Sequence, residues 1–568
     1  MPKPRFPQLT GRMPTFPAVP QDRRRRLTHR AGPLLAIAFA ALLAGIVVGA
    51  AYVAPERKAA DRFVRAWARS DFKQMYELLS KRSRSRVSRS AFDQAYRAAA
   101  ATGTLRSLRF RPAHDPSGGA VAVPVRAGTR VFGPVSTILR LPFDGDGVSW
   151  TGSLAFPGLE KGETLARRTE LPPRAAILAN NGKALARGPD RASEVSNSSD
   201  LVGSVETVTA SDAGLYRARG YPDNAKVGSS GLERALQDQL AGAPGGTLLA
   251  GSRVLAQSTP KPAADVRTTI DPKVQDSALS ALGGRVGAIV VMRPQNGDVL
   301  ALAGIALDGL QPPGSTFKII TTTAALEDRK VKLTDQFPVE TAAVLEGVSL
   351  SNASGESCGG SFVNSFAQSC NSVFAPLGVK VGAARLVQTA ERYGFNAKPS
   401  IPGAAASTLP AADQVGDDLA VGSTAIGQGK VLATTLEMTS IAATIALGGR
   451  RAMPTLLEGQ APSIMRVTSP QVARTIRGLM IEVVRSGTGT NARLPGVTVA
   501  GKTGTAELGG PPGANDDPNN SDAWFVSFAP ARRPRVAVGV LVVKAGAGGD
   551  SAAPLAAQVL PTAIARAR

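Results

Sequence analysis

Between Ala31 and Val53 the chain carries no charged side chain in a run that is almost wholly apolar, AGPLLAIAFAALLAGIVVGAAYV. At about 1.5 Å per residue, roughly twenty apolar residues cross the hydrocarbon core of a bilayer, so this run is long enough to span it as a helix. Lys3, Arg5, Arg12, Arg23, Arg24, Arg25, Arg26 and Arg30 precede it, with Asp22 the only acid. That asymmetry predicts a basic cytoplasmic tail over 1–30, a single transmembrane helix over 31–53, and everything beyond on the outer side of the membrane. A cleaved signal peptide is the competing reading, but its apolar core usually runs about 7–15 residues, shorter than the run here. The remainder of the chain must fold in water, and in a protein of 568 residues it is too long for one hydrophobic core.

The formal charge of +23 requires an explanation. No helix-turn-helix, zinc-finger or aromatic-rich RNA-binding pattern accompanies it, so no nucleic-acid partner is expected and an anionic membrane surface is the better match. The chain has only two Cys (Cys358, Cys370) and two His (His29, His114). A zinc site of Cys and His ligands cannot be assembled from these within one domain. A Ser-His-Asp triad would need a histidine where none is available. Any serine nucleophile must therefore use another base.

Three segments come after the anchor, giving a multidomain α/β (α+β) chain. Over 57–158, Ala60, Phe63, Val64 and Trp67 share one helical face, and Phe72, Met75, Tyr76 and Leu79 share another. Ser90-Ala-Phe-Asp93 resembles a capping box opening a third helix. Strands are expected around Val121–Val125, over Val131–Leu141 and over Val148–Phe156. Helices followed by strands suggest a compact α+β domain. From Glu56 to Arg140 this segment has eighteen Lys or Arg against six acids, which reads equally as a solvated surface or as a contact with anionic headgroups or wall polymer. Over 165–262 turn signals are dense (Pro172-Pro173, Asn180-Asn181-Gly182, Pro244-Gly245-Gly246), as in an extended linking domain. Over 265–568 lie all the chemical signals. Gly287–Met292 and Asp298–Ala303 flank Gln295-Asn-Gly297, a hairpin pattern.

Three short motifs stand in order in this last segment. Ser315-Thr-Phe-Lys318 follows Pro312-Pro-Gly and opens an apolar helix running through Ile319, Ile320 and Ala325. Spacing of i and i+3 puts Ser315 and Lys318 on one face, where a neutral lysine could replace the missing histidine as base. Burial and a second nearby cation would lower its pKa enough for that role. The second motif is Ser369-Cys370-Asn371. The third is Gly501-Lys502-Thr503-Gly504-Thr505, on an expected strand after Val497–Ala500, with Gly504 allowing close approach of a substrate to the backbone. Each alone is weak: Ser-x-x-Lys reads as easily as an N-cap followed by a surface lysine. Their order and spacing together are the signature of penicillin-recognising enzymes.

On these motifs the chain resembles the class B penicillin-binding proteins, monofunctional peptidoglycan D,D-transpeptidases. Ala425-Ile-Gly-Gln-Gly429, Thr434–Met438, Arg451–Pro454, Ser486-Gly-Thr-Gly-Thr490 and Asp522–Pro530 are similar to further segments of that family, with Thr435 standing where proline is usual. The resemblance implies a five-stranded antiparallel sheet flanked by helices plus a helical subdomain, with no need of a metal or cofactor. It implies that Ser315 is the nucleophile, Lys318 its base, Ser369 a proton relay to the leaving D-alanine, and Asn371 a holder of substrate and Lys318. Lys502, Thr503, Gly504 and Thr505 would form the substrate-binding strand, and the amides of Ser315 and Thr505 the oxyanion hole. The implied partners are stem peptides, β-lactams and a wall-synthesis complex that includes a glycosyltransferase. Trp150–Leu159 resembles the exit strand of a domain similar in fold to nuclear transport factor 2, which would place such a domain over 57–158. Gly228–Gly242 and, in part, Arg174–Ala186 resemble the family's non-catalytic, dimerisation-type linker domain.

Two rivals share the motifs. A serine β-lactamase of one class needs a Glu-x-x-x-Asn element, and no Glu between Ala301 and Gly510 has Asn four residues later. A β-lactam sensor or silent wall-binding scaffold would be expected to carry more spans or to have lost part of the motif set. Cys358 and Cys370 lie twelve positions apart on the oxidising side of the membrane, so a disulfide is possible. The favoured expectation is a buried, unpaired Cys370 packing behind the site.

Overall fold

The structure is a computed structural model, describing residues 36–42, 53–145, 147–195, 198–509, 517 and 519–567. Most of the expected transmembrane segment and all of the basic tail lie outside the described residues. Residues 36–42 are helical and exposed, and among the described residues no helix is long and apolar enough to cross a membrane. The chain divides into two compact units, 1–166 with 248–256, and 167–247 with 257–568.

In the first unit, beyond residues 36–42, helices α1 (Pro55–Ala68), α2 (Phe72–Glu77), α3 (Lys81–Arg86) and α4 (Arg89–Thr102) precede a four-stranded antiparallel sheet in sequential order. Its strands are β1 (Leu105–Phe110), β2 (Ala120–Thr129), β3 (Pro134–Asp144) and β4 (Gly147–Val148). Phe63, Val64 and Trp67 of α1 are buried against Val121, Val123 and Val125 of β2, as their spacings predict. Two expectations shift. Helix α4 is capped by Ser88, whose hydroxyl accepts from the Ala91 amide at 3.2 Å, so Ser90 already lies inside the helix. The strand expected over Val148–Phe156 ends at Val148, because the Trp150 amide donates to Ser83 Oγ and Gly152–Ala155 curls into a 3₁₀ turn. Leu248 packs into this unit's second cluster beside Phe132 and Phe156.

In the second unit the residues around Arg174–Leu240 divide: Tyr221, Ala225 and Val227 form a small cluster of their own with Ala241, while others join the core of the catalytic sheet. Ile177, Leu185, Leu232 and Leu240 share one apolar cluster with Ile270, Ala288 and Val290. Glu233, fully buried, accepts from Arg174 and Arg191 at 2.6 Å each, joining the two linker segments noted in the sequence.

The centre of this unit is a five-stranded sheet. Helix α5 (Pro272–Leu282) leads into β5 (Gly287–Met292) and β6 (Val299–Gly304), the hairpin predicted around Asn296-Gly297. Helix α6 (Lys318–Glu327), β7 (Ala342–Leu345), β8 (Val348–Ser351), β9 (Cys358–Ser361), α7 (Phe362–Ala367) and α8 (Asn371–Val381) come next. After α9 (Thr435–Ala446) and α10 (Pro470–Ser486) the chain returns through β10 (Ala500–Glu507), β11 (Ser521–Ala529) and β12 (Val536–Val542), closing with α11 (Ala553–Arg566). The order is β6-β5-β12-β11-β10, antiparallel throughout. Strand residues alternate between two clusters: Val290, Trp524 and Leu541 face the side of α6 and α9, while Ile289, Phe525 and Val540 face α11. A sheet buried on both faces reads as the continuous apolar runs seen in its strands.

Candidate active site

The turn before α6 is held on two sides. Gly314 has φ +51°, and a Cβ there would lie 2.7 Å from the Thr505 carbonyl oxygen. Its amide donates to the Gly427 carbonyl at 2.9 Å, and a Cβ on Gly427 would come within 2.0 Å of the Gly314 oxygen. Gly504 presses on the same turn from β10, with Pro313 O at 2.9 Å and Thr316 Cγ2 at 3.0 Å from a built Cβ. The glycine expected to admit a substrate therefore also admits the protein's own serine turn. Between these clamps Ser315 starts one 3₁₀ turn (Gly314–Phe317) that continues into α6, carrying Lys318 inward to full burial.

Lys318 Nζ donates to Asn371 Oδ1 at 2.6 Å, to the Ser369 carbonyl at 2.7 Å and to Ser369 Oγ at 3.3 Å. The expected i,i+3 pairing with Ser315 is not a hydrogen bond in this state, since the lysine's donors turn to the second motif. That motif sits in the turn between α7 and α8. Ser369 adopts φ +63°, a left-handed conformation that costs a β-substituted residue about 1–2 kcal/mol, while its carbonyl accepts from Lys318. Asn371 Nδ2 donates to the Ser351 carbonyl at 2.7 Å, tying the β7–β8 hairpin to the motif. Cys370, between the two functional residues, is disulfide-bonded to Cys358 on β9, with Cα atoms 5.4 Å apart. This corrects the expectation of an unpaired thiol: β9 returns antiparallel to 336–340 and brings Cys358 to the start of α8, a juxtaposition that neither cysteine's local sequence reveals.

Lys502, fully buried on β10, donates to Ser369 Oγ at 2.8 Å and to the Thr503 carbonyl at 3.1 Å. Burial lowers its pKa from the ordinary lysine range to about 7. Lys318 is pushed well below its ordinary value, first by burial and then by the Lys502 charge. The rings of Phe374 and Phe366 lie 5.3 and 5.7 Å from the two ammonium nitrogens and partly offset that loss of hydration. Thr503 Oγ1 lies 2.5 Å from Thr488 Oγ1, and Thr505 Oγ1 accepts from the Gly548 amide at 3.3 Å.

Ser315, Ser369, Asn371, Thr503 and Thr505 line one cleft of about 510 Å³. Lys318 and Lys502 lie buried at its base, reaching Ser369 from below. All the residues singled out in the sequence thus meet in one place, although they are spread over almost two hundred positions. Sequence reasoning missed Thr488, Ser351 and Gln428, which also line the cleft. Thr488 and Gln428 fall inside segments noted only for their likeness, and Ser351 is recognisable only once the hairpin is folded. Among the described residues no group of three or more His, Cys, Asp or Glu side chains is placed to hold a metal ion.

The family described as "Penicillin binding protein transpeptidase domain" matches residues 287–561. The peptidoglycan D,D-transpeptidase PbpA of Mycolicibacterium smegmatis is 32% identical over 402 residues, covering 59% of this chain and 80% of the relative. The PbpA of Mycobacterium tuberculosis strain H37Rv is 32% identical over 366 residues, covering 53% and 72%. Among solved structures, a penicillin G acyl-enzyme complex of M. tuberculosis penicillin-binding protein A aligns over 70% of this chain and 99% of its own, with TM-score 0.55 and 28% identity.

Proposed function

This chain belongs to the class B penicillin-binding peptidoglycan D,D-transpeptidases, and from that membership we infer that it cross-links stem peptides through an acyl-Ser315 intermediate and is acylated by β-lactams at the same atom. The observation that carries this reading is the convergence of two buried amines of lowered pKa on one hydroxyl, Ser369 Oγ, at the base of the cleft that Ser315 enters.

The donor peptide lies along β10. That strand is the edge of the sheet, the position at which an extended peptide can add as a further strand. Lys502, Thr503 and Thr505 grip the terminal carboxylate. Neutral Lys318 takes the Ser315 proton as Oγ attacks the penultimate D-alanine carbonyl, and the amides of Ser315 and Thr505 stabilise the oxyanion, a contribution worth about 3 kcal/mol per donor in comparable sites. Collapse breaks the peptide bond, and the leaving D-alanine amine receives a proton through Ser369. An amine of a second stem peptide then attacks the ester, returning Ser315 its proton. In a β-lactam the strained amide is opened by the same attack and the leaving nitrogen stays tethered.

The same inference extends to topology: a cytoplasmic tail over 1–30, a single span over 31–53, a domain over 57–158 similar in fold to nuclear transport factor 2, a linker domain over 165–262 and the transpeptidase domain over 265–568. The uncharged run and the basic residues before it support an extracytoplasmic catalytic domain. A wall-synthesis complex with a glycosyltransferase rests on the family alone. Labelling membranes with a fluorescent penicillin, with and without Ser315→Ala, tests the central reading; labelling that survives the substitution would overturn it.

A further inference from the structure

Away from the catalytic cleft, a second cavity of about 610 Å³ opens at the turn end of the five-stranded sheet, and five arginines line it: Arg474, Arg477, Arg532, Arg533 and Arg535. Among the described residues no carboxylate lines it. None of the five guanidinium groups is in an ion pair with a described residue, although sixteen such pairs are formed elsewhere.

The arginines are presented by fixed backbone. Arg474 and Arg477 lie one turn apart on the first turns of α10, whose N-cap Ser469 accepts from the Val472 amide and whose first turn holds no acid. Like charges three positions apart on a helix repel, and the helix N-terminus adds its own positive end, lined here by Pro470. The other three arginines stand on the β11–β12 loop. Gln295 Nε2 donates to the Pro534 carbonyl, the Ala531 amide to Thr498 O at 2.8 Å and the Arg535 amide to Ala529 O at 3.0 Å. Among the described residues lining the cavity, Ala446, Leu447 and Gly448 bring the carbonyl end of α9, where Gly448 O accepts from Arg466. Arg474, Arg532, Arg533 and Arg535 are exposed and Arg477 is half-buried, so solvent and salt screen part of their mutual repulsion, and a multiply charged anion bound among them would relieve the rest.

The number of charges selects the class of anion. One carboxylate would pair with one guanidinium and leave four unmatched. Two linked phosphates bring several negative charges and many acceptor oxygens into a small volume, and the planar fork of arginine matches them bidentately. We propose that this cavity binds a diphosphate or a pair of closely spaced phosphodiesters, either as a free compound or as the headgroup of an anionic lipid.

The test uses the full chain in detergent and isothermal titration with inorganic pyrophosphate, with inorganic phosphate for comparison. Saturable binding of pyrophosphate is expected, at least tenfold tighter than phosphate. It should weaken at least tenfold both in Arg474→Gln/Arg477→Gln and in Arg532→Gln/Arg533→Gln/Arg535→Gln. Acylation by fluorescent penicillin serves as the folding control and should stay within twofold. Displacement of pyrophosphate by a short-chain cardiolipin, whose headgroup carries two phosphodiesters, but not by dihexanoyl phosphatidylcholine assigns the lipid source; failure of both to displace it assigns the free compound. Absence of saturable binding, or binding unchanged in both variants, overturns the proposal and leaves the five arginines as a solvated cationic face.

Discussion

Lys318 and Lys502 come from different motifs, one on a helix and one on a strand, and both donate to Ser369 Oγ, at 3.3 and 2.8 Å. Two ammonium groups sharing one acceptor in a buried site cannot both keep full charge without cost, so the pair titrates as a unit. The charge of Lys502 is what helps keep Lys318 neutral. A base and a cation are thereby made from the same side-chain type.

That coupling predicts a bell-shaped pH profile for β-lactam acylation. The rate should rise by about tenfold per pH unit on the acid side, where Lys318 sheds its proton, and fall above about 7, where Lys502 loses the charge that holds the carboxylate. In Lys502→Arg, which stays charged, the alkaline limb should vanish even if the overall rate is lower. A linkage measurement gives the sign independently. With its folded pKa lowered from 10.5 to about 7, Lys502 binds fewer protons in the native state than in the unfolded chain between those values. Its burial cost is therefore full below pH 7 and fades as pH rises towards 10. Urea unfolding should show the wild type gaining on Lys502→Met across that window; a constant difference would refute the shift.

Ser315→Ala should remove covalent β-lactam labelling entirely while changing stability by no more than about 0.5 kcal/mol, because the Ser315 side chain lines the cleft and Lys318 donates to Ser369 and Asn371 instead. Mass spectrometry of penicillin-treated wild type should place the adduct on the peptide containing Ser315. An adduct on any other peptide contradicts the assignment.

Cys358 and Cys370 should yield no alkylatable thiol in the denatured, unreduced protein and two after reduction. Closing a loop of this length stabilises by about 3 kcal/mol in the chain-entropy model, so Cys358→Ser/Cys370→Ser should unfold at clearly lower denaturant. Because Cys370 separates Ser369 from Asn371, the double variant should also acylate more slowly.

Gly427 and Gly429 both have positive φ, +75° and +71°, and both lie in a segment noted from sequence. Alanine at either pays the left-handed strain of about 1–2 kcal/mol. Only at Gly427 would its Cβ meet the nucleophile turn, 2.0 Å from Gly314 O; at Gly429 the nearest atom is 3.8 Å away. Gly427→Ala should therefore lose acylation by about a hundredfold or more, roughly 2.7 kcal/mol in the transition state, and Gly429→Ala by less than tenfold. Equal losses would mean that the clamp on Ser315 is unimportant.

How much of the molecule is legible in its sequence depends on how local each signal is. The helical faces around Phe63 and Met75, the Asn296-Gly297 hairpin and the strand carrying Lys502 are written in neighbouring residues, and the structure forms them. Ser315, Lys318, Ser369, Asn371 and Lys502 are recognisable by motif order, and they meet. The positive φ of Ser369, the Cys358–Cys370 bond, the Thr488–Thr503 contact and the Gly427 clamp depend on segments that become neighbours only after folding. Ser90 fails as a cap for a smaller reason: Ser88, two residues earlier, offers the same side chain in the extended conformation that a cap requires.

The last prediction concerns where the chain can be cut without losing chemistry. The described residues that line the catalytic cleft all belong to the second unit, and none of them precedes Ser315. The residues around Ile177, Leu185, Leu232 and Leu240 share a core with Ala288 and Val290 of the catalytic sheet. Beginning the chain at Asp265 would strip those side chains away, and losing a single buried Leu or Ile commonly costs about 2–5 kcal/mol. Residues 248–256, by contrast, belong with the N-terminal unit. A chain starting at Arg167, with Leu248–Ala256 replaced by a short Gly-Ser turn, should fold and be acylated by penicillin within threefold of the wild-type rate. The chain starting at Asp265 should be poorly soluble or melt well below it. If the Asp265 chain proves equally stable and active, the linker segment contributes nothing to the catalytic core. If the Arg167 chain folds but is not acylated, the N-terminal unit takes part in the chemistry, and the separation of units does not correspond to a separation of roles.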